Sequence, residues 1–158
     1  MLFLVLKSLH VLGAVLFLGT GLGSAWYKLR ADRSGDLRVV VWCQREIVLA
    51  DWLFTVPAGV IMPVTGLWLA AIYNIPWTTP WVLTGLVGWT TAGALWLPAA
   101  FLQLRMRRLA QAALESGEPL PPAFHRANRI WLALGFPAFL ISGFTVWAMV
   151  AKYAAFGA

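Results

Sequence analysis

The chain has 158 residues, of which 61% are hydrophobic and only 11% charged, with a net charge of +6 and a mean hydropathy of +0.77. Soluble domains carry roughly 25% charged residues, and a water-soluble fold of this length lacks the interior to hide so much apolar surface, so that class is excluded. The basic balance does not point to nucleic acid either, because the positive charges fall in two clusters between apolar runs, which is how a membrane topology is written.

A helix that crosses the hydrocarbon needs about 20 apolar residues. The first such run covers residues 2–27 and is interrupted only by Lys7, Ser8 and His10. No basic stretch precedes it and its apolar core is too long for a cleaved signal, so it is expected to remain in the membrane. The second run covers 47–73, with Asp51 near its start; the third, 81–104, has no charged residue; the fourth covers 130–151. Each is predicted to be helical, because a lone strand leaves its backbone groups unpaired in lipid. The expectation is one all-α domain over residues 1–158, a four-helix transmembrane bundle without an internal repeat.

The connections set the orientation. Lys28, Arg30, Arg33, Arg38 and Arg45 follow the first run, Arg105, Arg107, Arg108, Arg126 and Arg129 follow the third, and residues 74–80 carry no charge. Cytoplasmic loops collect Lys and Arg. These two basic loops are therefore expected in the cytoplasm, with both termini outside and the chain in a bacterial inner membrane; Lys7 and Lys152 are the exceptions. Trp68, Trp77, Trp81 and Trp147 fall near the outer boundary and Trp26, Trp42, Trp52 and Trp131 near the inner one, as an aromatic belt requires. Small residues cluster in the first helix (Gly13, Ala14, Gly19, Gly21, Gly23) and the third (Gly85, Gly88, Gly93, Ala94), where they let helices approach closely or leave room for a flat cofactor. Pro57, Pro63, Pro98 and Pro137 lie inside spans and are expected to kink helices and free carbonyls. Residues 115–122 (ESGEPLPP) read as a turn-rich loop. Cys43 is the only cysteine, so no internal disulfide forms.

An ionisable group within a span is a functional-site candidate by default. His10 is the sharpest, about 12 Å below the outer end by helical rise. A neutral imidazole there can ligate a metal or a haem iron. Gly13, one turn inward on the same face, clears space; Lys7, one turn outward, offers a cation for a porphyrin's propionates, as does Lys152 at the end of the fourth helix. Met62 lies level with His10 on the antiparallel second helix and is the candidate second axial ligand. His125 is a whole membrane away. At the cytoplasmic edge Asp51 needs a partner, which His125, Arg126 or Arg129 could supply in an ion-pair network that staples the two loops. No phosphate-binding glycine loop, zinc spacing or nucleophile–base pairing is present, so no catalytic residue is assigned.

The segments LKSLHVLGAVLFLGTGLG, ADWLFTVPAGVIMPVTGLWL, LPAAFLQLRMRRLA and PPAFHRANRIWLALGFPAF resemble, over nearly the whole chain, an uncharacterised bacterial family of predicted integral membrane proteins (domain of unknown function 2269). More distantly, the lysine followed by Leu9, His10 and Gly13 is similar to the HemJ-type protoporphyrinogen oxidases and, more loosely, to CopD-like copper proteins. The first resemblance implies no activity. The second implies haem b, with the helix-one histidine falling on His10. The lysine and the late histidine that HemJ-type proteins carry in helix three fall on Gly85 and near Ala100, so oxidase activity does not carry over.

Three functions follow as expectations: a haem b-binding membrane protein with a redox role, working with a membrane redox partner or a second copy; a non-catalytic accessory or assembly subunit of a membrane complex; and copper handling through His10 and Met62, donors that suit cuprous ion.

Overall fold

A computed structural model describes residues 1–152 and 154. Within them the chain forms five α-helices, α1 (Leu2–Ser34), α2 (Leu37–Ala50), α3 (Val56–Ile72), α4 (Pro80–Ser116) and α5 (Pro122–Ala151), with a π-helical turn, Asp51–Thr55, joining α2 to α3. Because that turn continues the helix, there are four rods, and each contains a stretch long and apolar enough to cross a membrane. The expected four spans are therefore present.

The rods are longer than the apolar runs. At 33 residues, α1 reaches about 50 Å against about 30 Å of hydrocarbon. Charge does not end a helix that leaves the bilayer, since water hydrates the side chains while the backbone ladder continues. What ends α1 is Gly35, in the left-handed region at φ 72 where L side chains are strained, followed by Asp36, whose carboxylate accepts the N–H of Arg38 at 2.8 Å and caps α2. The first connection thus shrinks from the expected 28–46 to two residues. Likewise α4 continues to Ser116 and stops at Gly117, φ 71, and Pro122 opens α5. The α3–α4 turn closes with Asn74 at positive φ, with Ile75 N–H on the Ala70 carbonyl and Asn74 N–H on that of Ala71, the pattern of a Schellman cap.

The connectivity puts ten of the twelve basic residues at one end, with Lys7 and Lys152 at the other. α4 runs along α5 and α1 along α3; α2 lies between α1 and α4, whereas α3 and α4 barely meet. The core sits towards the basic end, where Val40, Val41, Met106, Ala110, Phe124 and Ala127 are buried together. Four glycines permit the close helix pairs. A Cβ on Gly13 would meet Met62, one on Gly66 would meet His10, and on α4 the neighbours are Met149 at Gly85 and Thr145 at Gly88. Gly19, Gly21, Gly23 and Gly93 face open space. The freed-carbonyl expectation holds at Pro63: it has no N–H for the Gly59 carbonyl four residues back, and Trp89 of α4 donates its indole N–H there at 3.0 Å.

Candidate functional site

His10 is half-buried on the seam between α1 and α3. Its Nδ1 lies 2.8 Å from the Met62 carbonyl oxygen and 3.2 Å from Thr65 Oγ1. A carbonyl can only accept, so Nδ1 carries the proton in the neutral ring and Nε2 keeps its lone pair. Thr65 donates its own hydroxyl to the Ile61 carbonyl at 2.6 Å and so faces the imidazole as an acceptor. The ring lies against Gly66, where a Cβ would stand 2.8 Å from Cε1.

The neighbours expected around His10 are there in altered roles. Met62 meets the imidazole through its carbonyl, while its side chain packs on Gly13, where a Cβ would be 2.8 Å from Met62 Cγ. Gly13 therefore makes room for Met62, and the glycine that makes room for the ring is Gly66, which sequence reasoning missed; the level it had assigned to Met62 was the available signal, since Gly66 is one turn further along. Lys7 is exposed, with Nζ 5.8 Å from the Phe3 ring centre. Lys152 has Nζ 5.3 Å from that of Trp81. Both cations lie at the end of the bundle nearer His10, each on its own aromatic ring.

A second polar cluster, at the basic end, was not foreseen. Lys28, expected in a loop, is a residue of α1 and only 1% exposed. Its Nζ lies 2.8 Å from Asp32 Oδ2, one turn on, and Asn128 of α5 donates to the same oxygen at 2.9 Å. The Phe124 and Trp131 rings stand 5.3 and 5.7 Å from the ammonium. Trp131 is thus buried against Lys28 rather than in the interfacial belt: it is one of two rings that replace water around a desolvated cation. This cluster ties α1 to α5, the stapling role expected of Asp51 with His125, Arg126 or Arg129. Those three side chains are exposed, and Lys28–Asp32 is the ion pair among the described residues. The signal for it in the sequence is the i, i+4 spacing of Lys28 and Asp32.

Asp51 itself is buried at the π-helical turn and accepts a hydrogen bond from Thr55 at 2.7 Å. Gln103, buried on α4, is the neighbouring helix's contribution to that carboxylate, and Gln44, two turns earlier on the same face, is buried too. The turn has a local cause. Val56 donates to the Asp51 carbonyl five residues back and Pro57 has no N–H, so the ordinary ladder cannot continue through this point.

Four long apolar rods and a core displaced to the basic end define a small polytopic membrane protein. A family described as predicted integral membrane proteins (DUF2269) matches residues 4–153, and the chain belongs to it. No curated protein and no solved structure matches.

Proposed function

We propose that this protein binds haem b through Nε2 of His10 and has a redox role with a membrane electron partner. The observation that supports this reading is the Nδ1–H bond to the Met62 carbonyl. A metal-bound histidine needs its other ring nitrogen to donate to a fixed acceptor, which sets the tautomer and the ring orientation. The residues present fit that requirement, with Thr65 and Gly66 holding the ring in place. Lys7 and Lys152 are the cations within the same end of the bundle for propionate groups. Met62 would serve as second axial ligand only by leaving its seat on Gly13, so the reading rests on His10. Haem would supply one-electron chemistry; the chain's own part is ligation, orientation and exclusion of water.

The test is the visible spectrum of the detergent-purified protein, oxidised and dithionite-reduced, beside His10→Ala. A Soret band with sharpened reduced bands, lost in the variant, is the expected result. A colourless wild-type protein from cells well supplied with haem overturns the reading. It would favour the accessory-subunit alternative, which has support from Gly19 and Gly23: they lie one turn apart on α1 with open space above them, as a face awaiting another helix would. The copper alternative has less support, because Met62 meets the imidazole through its carbonyl while its side chain packs on Gly13.

The reading includes an orientation with the basic end in the cytoplasm of a bacterial inner membrane and the His10 end outside, from the asymmetry of ten basic residues against two. Cys43 is buried, so introduced cysteines report cleanly. Thr78→Cys in the α3–α4 turn is expected to react with a membrane-impermeant maleimide in intact cells, and Glu118→Cys only after lysis. The reverse pattern inverts the topology.

A further inference from the structure

Between α4 and α5, at the basic end, lies a pocket of about 180 Å³ lined by Leu102, Arg105, Ala123, Arg126, Ala127 and Ile130. Its lining is graded along the membrane normal. Arg105 follows directly on the apolar run of α4, and Leu102 lies three residues deeper. On the antiparallel α5, Ile130 lies four residues deeper than Arg126. By helical rise the two aliphatic side chains stand about 5–6 Å further into the hydrocarbon than the two guanidinium-bearing residues. Ala123 and Ala127, small residues on α5, leave the hollow between the helices.

The charge at its mouth is uncompensated. Neither Arg105 nor Arg126 enters an ion pair among the described residues, and both are exposed. The first turn of α5 contains no acidic residue and has no side-chain cap, so the positive end of that helix adds to the same field. A second hollow on α4, lined by Leu104, Arg107, Arg108, Gln111, Ala112 and Glu115, has an acid of its own to offset its arginines.

We propose that the α4–α5 pocket binds an anionic phospholipid, its phosphate held by Arg105 and Arg126 and its acyl chains descending past Leu102 and Ile130. Two forked guanidinium groups suit a phosphate, and basic pockets between helices at the cytoplasmic boundary are where anionic headgroups bind. A zwitterionic headgroup brings its own ammonium into the positive field and is disfavoured. A free phosphate gains nothing from the aliphatic floor. The site is independent of His10 and of any cofactor.

Native mass spectrometry of the detergent-purified full chain, titrated with phosphatidylglycerol or with phosphatidylcholine of the same acyl chains, tests this. The wild-type protein is expected to retain phosphatidylglycerol about tenfold more strongly. Arg105→Gln/Arg126→Gln is expected to lose that preference, and Arg107→Gln/Arg108→Gln to keep it. Equal retention of the two lipids by the wild type overturns the proposal without recourse to any variant. So does an unchanged preference in the Arg105/Arg126 variant, or an equal loss in the Arg107/Arg108 variant, which would mean diffuse attraction by the basic end. Full displacement of the lipid by millimolar inorganic phosphate would make the occupant a free anion and also overturns it.

Discussion

Lys28→Met is expected to lower the stability of the detergent-solubilised protein by about 3 kcal/mol, because removing one partner of a buried ion pair leaves the other charge uncompensated. Lys28 is 1% exposed, and its ammonium lies between the Asp32 carboxylate and the Phe124 and Trp131 rings. Without it Asp32 keeps only the Asn128 amide, with its other oxygen buried and unpartnered among the described residues. The Asp32 side chain retains 21% exposure, which puts the cost at the lower end of the range for buried pairs. For a chain of this length a loss of that size lowers the melting temperature by about 10 °C. Lys28→Met/Asp32→Leu separates charge from packing. A buried pair replaced by apolar groups of similar volume is often neutral, so the double variant is expected to regain most of the loss, less about 1 kcal/mol for the stranded Asn128 donor. Thermal unfolding followed by circular dichroism reads all three proteins. A single variant that melts within a degree of wild type would mean that the pair does not hold α1 to α5.

The second large effect is expected at Gly88. A side chain there runs into Thr145, whose Cβ and Cγ2 would lie 3.2 and 3.3 Å from the new Cβ besides the closer hydroxyl oxygen. A β-branched residue carries these atoms next to its own backbone and cannot swing them aside, so Gly88→Val must push α4 from α5. Overpacking of this kind costs about 1–3 kcal/mol. Gly85→Ala, one turn earlier, is expected to be far milder, because the atom it meets is the methyl end of Met149, which can choose another rotamer. Gly93→Ala has nothing within 4 Å and is expected to leave stability unchanged or raise it through helix propensity. Melting temperatures should therefore fall in the order Gly93→Ala, Gly85→Ala, Gly88→Val. A Gly88→Val protein as stable as Gly93→Ala would show that the α4–α5 contact is looser than described.

The four spans were legible in the sequence because hydropathy is a one-dimensional property: the solvent of each face is lipid, and 20 apolar residues in a row report it whatever they pack against. The clustering of basic residues at one end follows from span parity alone, and the freed carbonyl at Pro63 from the covalent structure of proline. That His10 and Met62 lie level also follows from arithmetic on antiparallel helices. What the sequence left open depends on the angular position of each residue around its helix and on which helix lies opposite. Only the tertiary structure placed Gly66 rather than Gly13 beside the imidazole and turned the Met62 carbonyl, not its side chain, onto Nδ1. Only there does Lys28 leave the loop assigned to it. A lysine directly after an apolar run is hydrated if its helix ends and buried if the helix continues beneath α5, and Gly35, seven residues later, decides in favour of burial. Asp51 likewise was readable as an acid needing a partner, but the partner, Thr55, comes within reach on the same strand of helix at a π-helical turn that Pro57 favours. Burial of a charge depends on contacts from residues distant in sequence, such as Phe124, Asn128 and Trp131, and no local pattern carries those.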